Sequence, residues 1–315
     1  KKGDMNMKKN RYFEKICRMN QPNLKAYLVN ELDMTEGDGW AYHQGAFPVL
    51  LTAHLDTVHK SLPGRIVYTK TRNGDSCISS PNGIGGDDRC GVYMILKILE
   101  QIDCSVLFCE DEEVGSIGAG KFTRTKLCES LKGKFKYIIE LDRANSNDAV
   151  YYDDDNKDFH EFIEESYWKM ANGSWSDICE LSPELEISSV NLSCGYYKQH
   201  TSLEYVMLNE MENNIKEVIK LLKRTDLNAE PFKFIEKPHI YSHIPSIYDN
   251  YWGWYDEEDT RFLRDDYYLE ATVDPDKFAC RFVTSIGKSK DEAWKNLFCE
   301  NPSLCMNDVI DWVFY

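Results

Sequence analysis

Phe47-Pro48-Val49-Leu50-Leu51-Thr52-Ala53-His54-Leu55-Asp56 is a short apolar run that turns polar where it ends. So brief a run is a strand buried on both faces, the kind that sits inside a parallel sheet covered by helices. His54 and Asp56 then fall where the chain leaves the sheet. Downstream, Gly83-Ile84-Gly85-Gly86 precedes Val92, Ile95, Leu96 and Leu99 at helical spacing, so a glycine loop feeds a buried helix. Cys104 to Cys109 reads as a second short strand and Tyr137 to Leu141 as a third. Strand and helix alternate from about residue 11 to residue 230, which predicts a layered α/β domain.

Further out, residues 11 to 34 read as helical, with Pro22 suited to a first turn. The turn-rich stretch through Asn73-Gly74 and Ser79 to Gly83 suggests a hairpin or excursion, and a helix follows Gly115. Residues 157 to 171 look helical and residues 186 to 194 look like a strand. A long helix is expected from about Thr201, with Thr201-Ser202-Leu203-Glu204 as a capping box and Met211, Ile215, Val218 and Leu222 on one face. After Pro231 the composition shifts to Trp, Tyr and Asp, with a helical stretch around Ala293 to Val313. The expected organisation is a tail at residues 1–10, a catalytic domain at 11–230 and an aromatic, acidic extension at 231–315.

The 315 residues carry 37 basic and 53 acidic side chains, a formal charge of −16 that disfavours a nucleic-acid backbone or an anionic membrane as partner. Apolar residues at 42% supply a packed core. No run reaches the length of a membrane span and the N-terminus lacks the apolar core of a signal peptide, so a cytoplasmic protein is expected. Eleven cysteines without a C-x-x-C pair read as reduced thiols, neither a disulfide framework nor a thiolate metal site.

Histidines and carboxylates gather just past the strands: His54 and Asp56, Asp87 at the helix start, Glu112 and Glu113, Asp142, and His200. In open α/β sheets ligands bind outside the carboxyl ends of the strands, so these segments can converge. Singly, each has a plain reading as a cap, a solvated turn or a core histidine. Together in one cleft they would repel one another unless cations neutralised them. A phosphate-binding reading of the glycine loop fails because no P-loop Lys follows it and Asp87 and Asp88 occupy the helix start. A serine hydrolase would need a G-x-S-x-G elbow, which is absent. Asp177, in Gly173-Ser174-Trp175-Ser176-Asp177, reads as a helix cap, with a place near the cleft as the alternative.

The motifs His54-Leu55-Asp56, Gly85-Gly86-Asp87-Asp88-Arg89-Cys90-Gly91, Asp111-Glu112-Glu113-Val114-Gly115, Glu140-Leu141-Asp142 and Gly195-Tyr196-Tyr197-Lys198-Gln199-His200-Thr201 appear in this order over residues 10 to 225. In this the chain resembles the co-catalytic zinc exopeptidases, which include peptidase T, carboxypeptidase G and the clustered aminopeptidases. The resemblance implies a three-layer α/β/α fold (phosphorylase/hydrolase-like) with a central mixed sheet. It implies that His54 and Asp142 bind one metal, Glu113 and His200 the other, and that Asp87 bridges both. Asp56 would orient His54, and Glu112 would be the general base toward a metal-bridging water. The implied cofactors are two divalent ions, zinc by donor type, with manganese or cobalt also fitting. A cis Asp87–Asp88 peptide is implied as well.

In relatives such as peptidase T a lid domain is inserted between the positions matching Asp142 and His200. Here that interval reads as a turn, one helix and one strand, so no lid is expected and the chain looks more like the lidless aminopeptidases. The implied activity is exopeptidase or aminopeptidase hydrolysis of short peptides or amino-acid amides. The alternatives are a deacylase of N-acyl amino acids using the same residues and, in another class, a non-catalytic metal-binding or interaction protein.

Overall fold

The computed structural model describes residues 11–238. The tail at 1–10 and residues 239–315, with the expected helix at Ala293 to Val313, lie outside the described residues. Within them an eight-stranded mixed sheet is built around β3 (Phe47–His54), β6 (Cys104–Cys109), β7 (Ile138–Arg143) and β10 (Ser189–Ser193). These four are parallel, in the order β6-β3-β7-β10. On one flank β2 (Trp40–His43) runs antiparallel to β6, and β1 (Thr35–Gly37) pairs with β2. On the other, β8 (Asp148–Val150) runs antiparallel to β10, with β9 (Lys169–Met170) beside it.

Alternate residues of the central strands feed two separate cores, because successive side chains point to opposite faces. Val49, Leu51 and Ala53 of β3 join Val106, Phe108, Ile139 and Leu141 beneath α2 (Gln21–Leu32), α3 (Gly86–Leu99), α6 (Lys157–Glu164) and α8 (Leu208–Arg224). Leu50, Leu107 and Ile138 face the other way, toward α4 (Ile117–Thr123), α5 (Lys126–Leu131) and α7 (Asp177–Leu185). The result is the three-layer α/β/α architecture. A second, four-stranded antiparallel sheet joins β11 (Tyr196–Tyr197), β12 (Tyr205–Met207), β5 (Ser76–Ser79) and β4 (Val67–Lys70), in that order. β4 and β5 are the hairpin expected around Asn73-Gly74.

Several sequence expectations are corrected. The helical reading of residues 11–34 holds in two pieces, α1 (residues 11–17) and α2, which starts afresh where the Asn20 side chain accepts the Asn23 N–H, with Pro22 in its first turn. The helix at 157 stops at Glu164, and Lys169–Met170 pair with β8. The interval from Asp142 to His200 holds two helices, α6 and α7, and the strands β8 to β11, all part of the main body, so no lid is inserted. The capping box at Thr201 does not form. Residues 201–203 are turn, β12 follows, and the helix begins at Leu208, with Met211, Ile215, Val218 and Leu222 buried as expected. Glu204 is instead fully buried.

Past the composition change at Pro231 the chain still packs on the body. Phe232 lies 5.2 Å from the Phe159 ring and 5.4 Å from Phe162, and its N–H donates to the Lys136 carbonyl at 2.9 Å. The compact unit ends at Pro238.

Candidate metal centre

Parallel pairing puts the carboxyl ends of β3, β6 and β7 on one edge of the sheet. Thr52 pairs with Glu140 and His54 with Cys109, so His54 and Asp142 leave the sheet at the same level and Glu112 and Glu113 follow just beyond. The chain returns to this edge twice more, at Asp87 in the first turn of α3 and at His200 between β11 and β12. The Asp87–Asp88 peptide is cis.

All seven residues singled out in the sequence meet there. His54 Nε2 lies 2.9 Å from Asp87 Oδ1 and 3.3 Å from Asp142 Oδ1. His200 Nε2 lies 3.1 Å from Asp87 Oδ2 and 3.0 Å from Glu113 Oε2. Asp87 therefore offers one oxygen to each group. Asp56 Oδ1 accepts from His54 Nδ1 at 3.0 Å, which places the proton on Nδ1 and leaves the Nε2 lone pair facing Asp87 and Asp142. The same carboxylate accepts the backbone N–H of Glu112 at 3.0 Å and of Glu113 at 3.1 Å, tying the two carboxyl ends together. Asp88 is also close to His54 and Asp142. Its oxygens, however, accept the N–H of His54 at 3.2 Å and of Gly91 at 2.8 Å, so both are already engaged by backbone donors.

The electrostatics describe a trap for positive charge. Burial lowers the proton affinity of His54, yet Asp142, Asp56 and Asp87 outweigh it and hold its pKa well above the usual value. Hydrogen bonds to Asp87 and Glu113 raise His200 to about 10. Asp56 is buried, which alone would raise its pKa, but the His54 ring and the two N–H donors keep it below the ordinary carboxylate value. Burial pushes Glu112 up to about 9, with Asp142 and Asp177 adding to it. Nitrogen and oxygen donors without thiolate, a shared carboxylate, and a buried Glu113 Oε1 with no hydrogen-bond partner all fit divalent cations.

Two further acids were not singled out as site residues. Asp177 is not the cap of α7, which is Ser176. It is fully buried, neither of its oxygens meets a hydrogen-bond partner, and burial raises its pKa to about 7. Glu140 is 1% exposed and burial likewise raises its carboxyl. Strand alternation held a signal for Glu140, since it precedes Asp142 by two residues and shares its face. For Asp177 a place near the cleft was only the lesser reading, because its neighbours come from other segments.

Among solved structures, the chain is similar to aminopeptidase PepT from Bacillus cereus, with a TM-score of 0.55 at 12% identity over 68% of this chain and 97% of that one. A tripeptidase from Staphylococcus aureus matches with a TM-score of 0.53 at 14% identity, over 68% and 97% of the two chains. A TET aminopeptidase from a marine sediment Thaumarchaeota archaeon gives 0.52 at 12%, over 70% and 98%. The fold is that of the PepT and TET peptidases. No family model matches the sequence, and no curated protein matches it either, so the likeness lies in the architecture. In this PepT-like fold the convergent residues occupy the carboxyl edge of the parallel strands.

Proposed function

We propose that this chain is a metal-dependent amide hydrolase of the exopeptidase type, an aminopeptidase on short peptides. The observation that carries this reading is Asp87, whose two oxygens face two separate His-carboxylate groups 2.9 to 3.1 Å away. His54 and Asp142 would hold one divalent ion, Glu113 and His200 the other, with Asp87 shared and zinc the expected metal. When bound, such ions polarise a substrate carbonyl and bring the pKa of a water toward neutrality.

The chain's own residues supply the rest. Asp56 orients His54 and fixes its tautomer. Glu112 is held at the site by its backbone bond to Asp56, and its buried carboxyl has a raised affinity for protons. In its ionised form it takes the proton of the attacking water and then returns it to the departing amine nitrogen. With no lid over the described residues, the cleft itself must hold the substrate's free amine. Val114 (67% exposed), beside Glu113, and Leu203 (67%), three residues past His200, offer apolar surface for a peptide's side chains.

The test uses the zinc-loaded full chain with unblocked and N-acylated short peptides. Unblocked peptides should be cleaved, and a chelator should stop the reaction. Glu112→Gln should keep about two zinc ions per chain while losing on the order of 10²–10⁴ in turnover. Full turnover by Glu112→Gln would remove its assigned role, and cleavage of N-acyl substrates alone would make the chain a deacylase.

A further inference from the structure

The glycine loop does cradle an anion, and that anion belongs to the chain itself. Glu204 is fully buried, and its Oε2 accepts the Gly85 N–H at 2.7 Å while Oε1 accepts the Asp87 N–H at 3.1 Å. Successive N–H groups turned to one side by a left-handed residue form a nest for a carboxylate or phosphate, and Gly85, at φ +71°, supplies that turn. His59 Nε2 closes the arrangement with a donated hydrogen bond to Oε2 at 2.8 Å, and its ring packs where a side chain at Gly83 would otherwise lie. Gly86 also leaves room for the clamp, since a Cβ there would come within 2.9 Å of Tyr196 and Val206.

The placement of these partners gives the contact its meaning. Glu204 lies four residues past His200, His59 lies five past His54, and Gly85 to Asp87 carry the shared aspartate. One carboxylate thus ties together three of the segments that bring donors to the metal centre. We propose that Glu204, with His59 as its partner, is a positioning residue that sets the backbone of Asp87 so that one oxygen faces each metal position. It touches neither position itself. The inference rests on the proposed metal centre, and it adds a residue whose loss acts through Asp87. Groups that orient a ligand in this way are worth roughly 10–100-fold in metal affinity.

The experiment measures Zn²⁺ affinity by competition with a chromogenic chelator, on the full chain, for wild type, Glu204→Gln and His59→Ala. Far-UV circular dichroism of each metal-free protein is the folding control. Glu204→Gln keeps the shape but replaces one acceptor oxygen with a donor that cannot serve Gly85 or Asp87. It should bind the same number of zinc ions about 10–100-fold more weakly. His59→Ala leaves both backbone bonds in place and should lose less. Affinity within twofold of wild type in a folded Glu204→Gln protein overturns the proposal. Should Glu204→Gln fail to fold, His59→Ala decides, and unchanged affinity there overturns it equally. Wild type that binds no zinc would sink the metal centre and this role together, whereas tight wild-type binding with indifferent variants would sink this role alone.

Discussion

His160 shows how one side chain's surroundings set its protonation. Its ring stacks on Tyr151 with centroids 3.9 Å apart, and Nε2 donates to the Asp154 carbonyl at 3.1 Å. Nδ1 is buried with no partner, so a proton added there would have nothing to donate to. Burial and the Lys157 charge lower its pKa, against the smaller opposing pull of Asp154 and Glu164. The unfolded chain, with an ordinary histidine pKa near 6.5, therefore binds the proton first on acidification. Stability should fall as pH drops through about 6.5 toward the lower folded value. Chemical denaturation at pH 7.5, 6.5 and 5.5 should show a larger acid loss in wild type than in His160→Gln, and equal losses would refute this. The residues proposed as metal donors stood out for a residue-level reason, since most follow an apolar strand, Asp87 opens a helix, and no bland role explains the set. Glu204 was not, because a capping box is a local pattern. Its true partners, Gly85 and Asp87, lie 119 and 117 positions away.

At the level of elements, α3 and β7 must lie close for Asp87 and Asp142 to face the same histidine. Gly91 makes that approach possible, because a Cβ there would run into the Leu141 carbonyl oxygen and come within 2.6 Å of the Asp88 carboxylate. Gly91→Ala should therefore push α3 off the sheet, at a cost of about 1–3 kcal/mol. Urea unfolding should show the loss, and zinc affinity should fall with it; unaltered stability would mean that the helix can shift freely. Elements with a continuous apolar run or a helical period were readable from sequence: β3, β6 and β7 by the first, α3 and the buried face of α8 by the second. The two-residue β9 and β11 and the three-residue β12 were not. Strands that short carry no period, and only their sheet partners hold them extended. The helix expected to run from residue 157 to 171 was cut short in the same way, by pairing of Lys169–Met170 with β8.

For the whole molecule, the composition changes at Pro231, and the described residues beyond it, to Pro238, pack on the body. Phe232 completes an aromatic cluster with Tyr137, Phe159 and Phe162, and the Ser188, Asp155 and Lys237 N–H groups bond across the junction. A chain ended after residue 238 should keep its fold and its zinc affinity, whereas one ended at 230 should melt lower, by ~2–4 °C for each kcal/mol lost. Equal melting of the two would show that the strap contributes nothing. The layered architecture and the convergence of the motifs on one edge were legible because parallel strands fix where their ends must lie. The second sheet was only partly so, since β12 was hidden inside an expected helix.

The donors proposed for the metal centre also have an order in time. His54, Asp87 and Asp142 all precede His200, which lies 58 positions after Asp142. A ribosome adding about 5–20 residues per second needs roughly 3–12 s to cross that gap. During that interval the nascent chain would carry every donor proposed for one ion and, without His200, only part of the set proposed for the second. If the proposed centre holds two ions, its donors are thus written into the polypeptide one after the other, and His200 is the last of the set to be made.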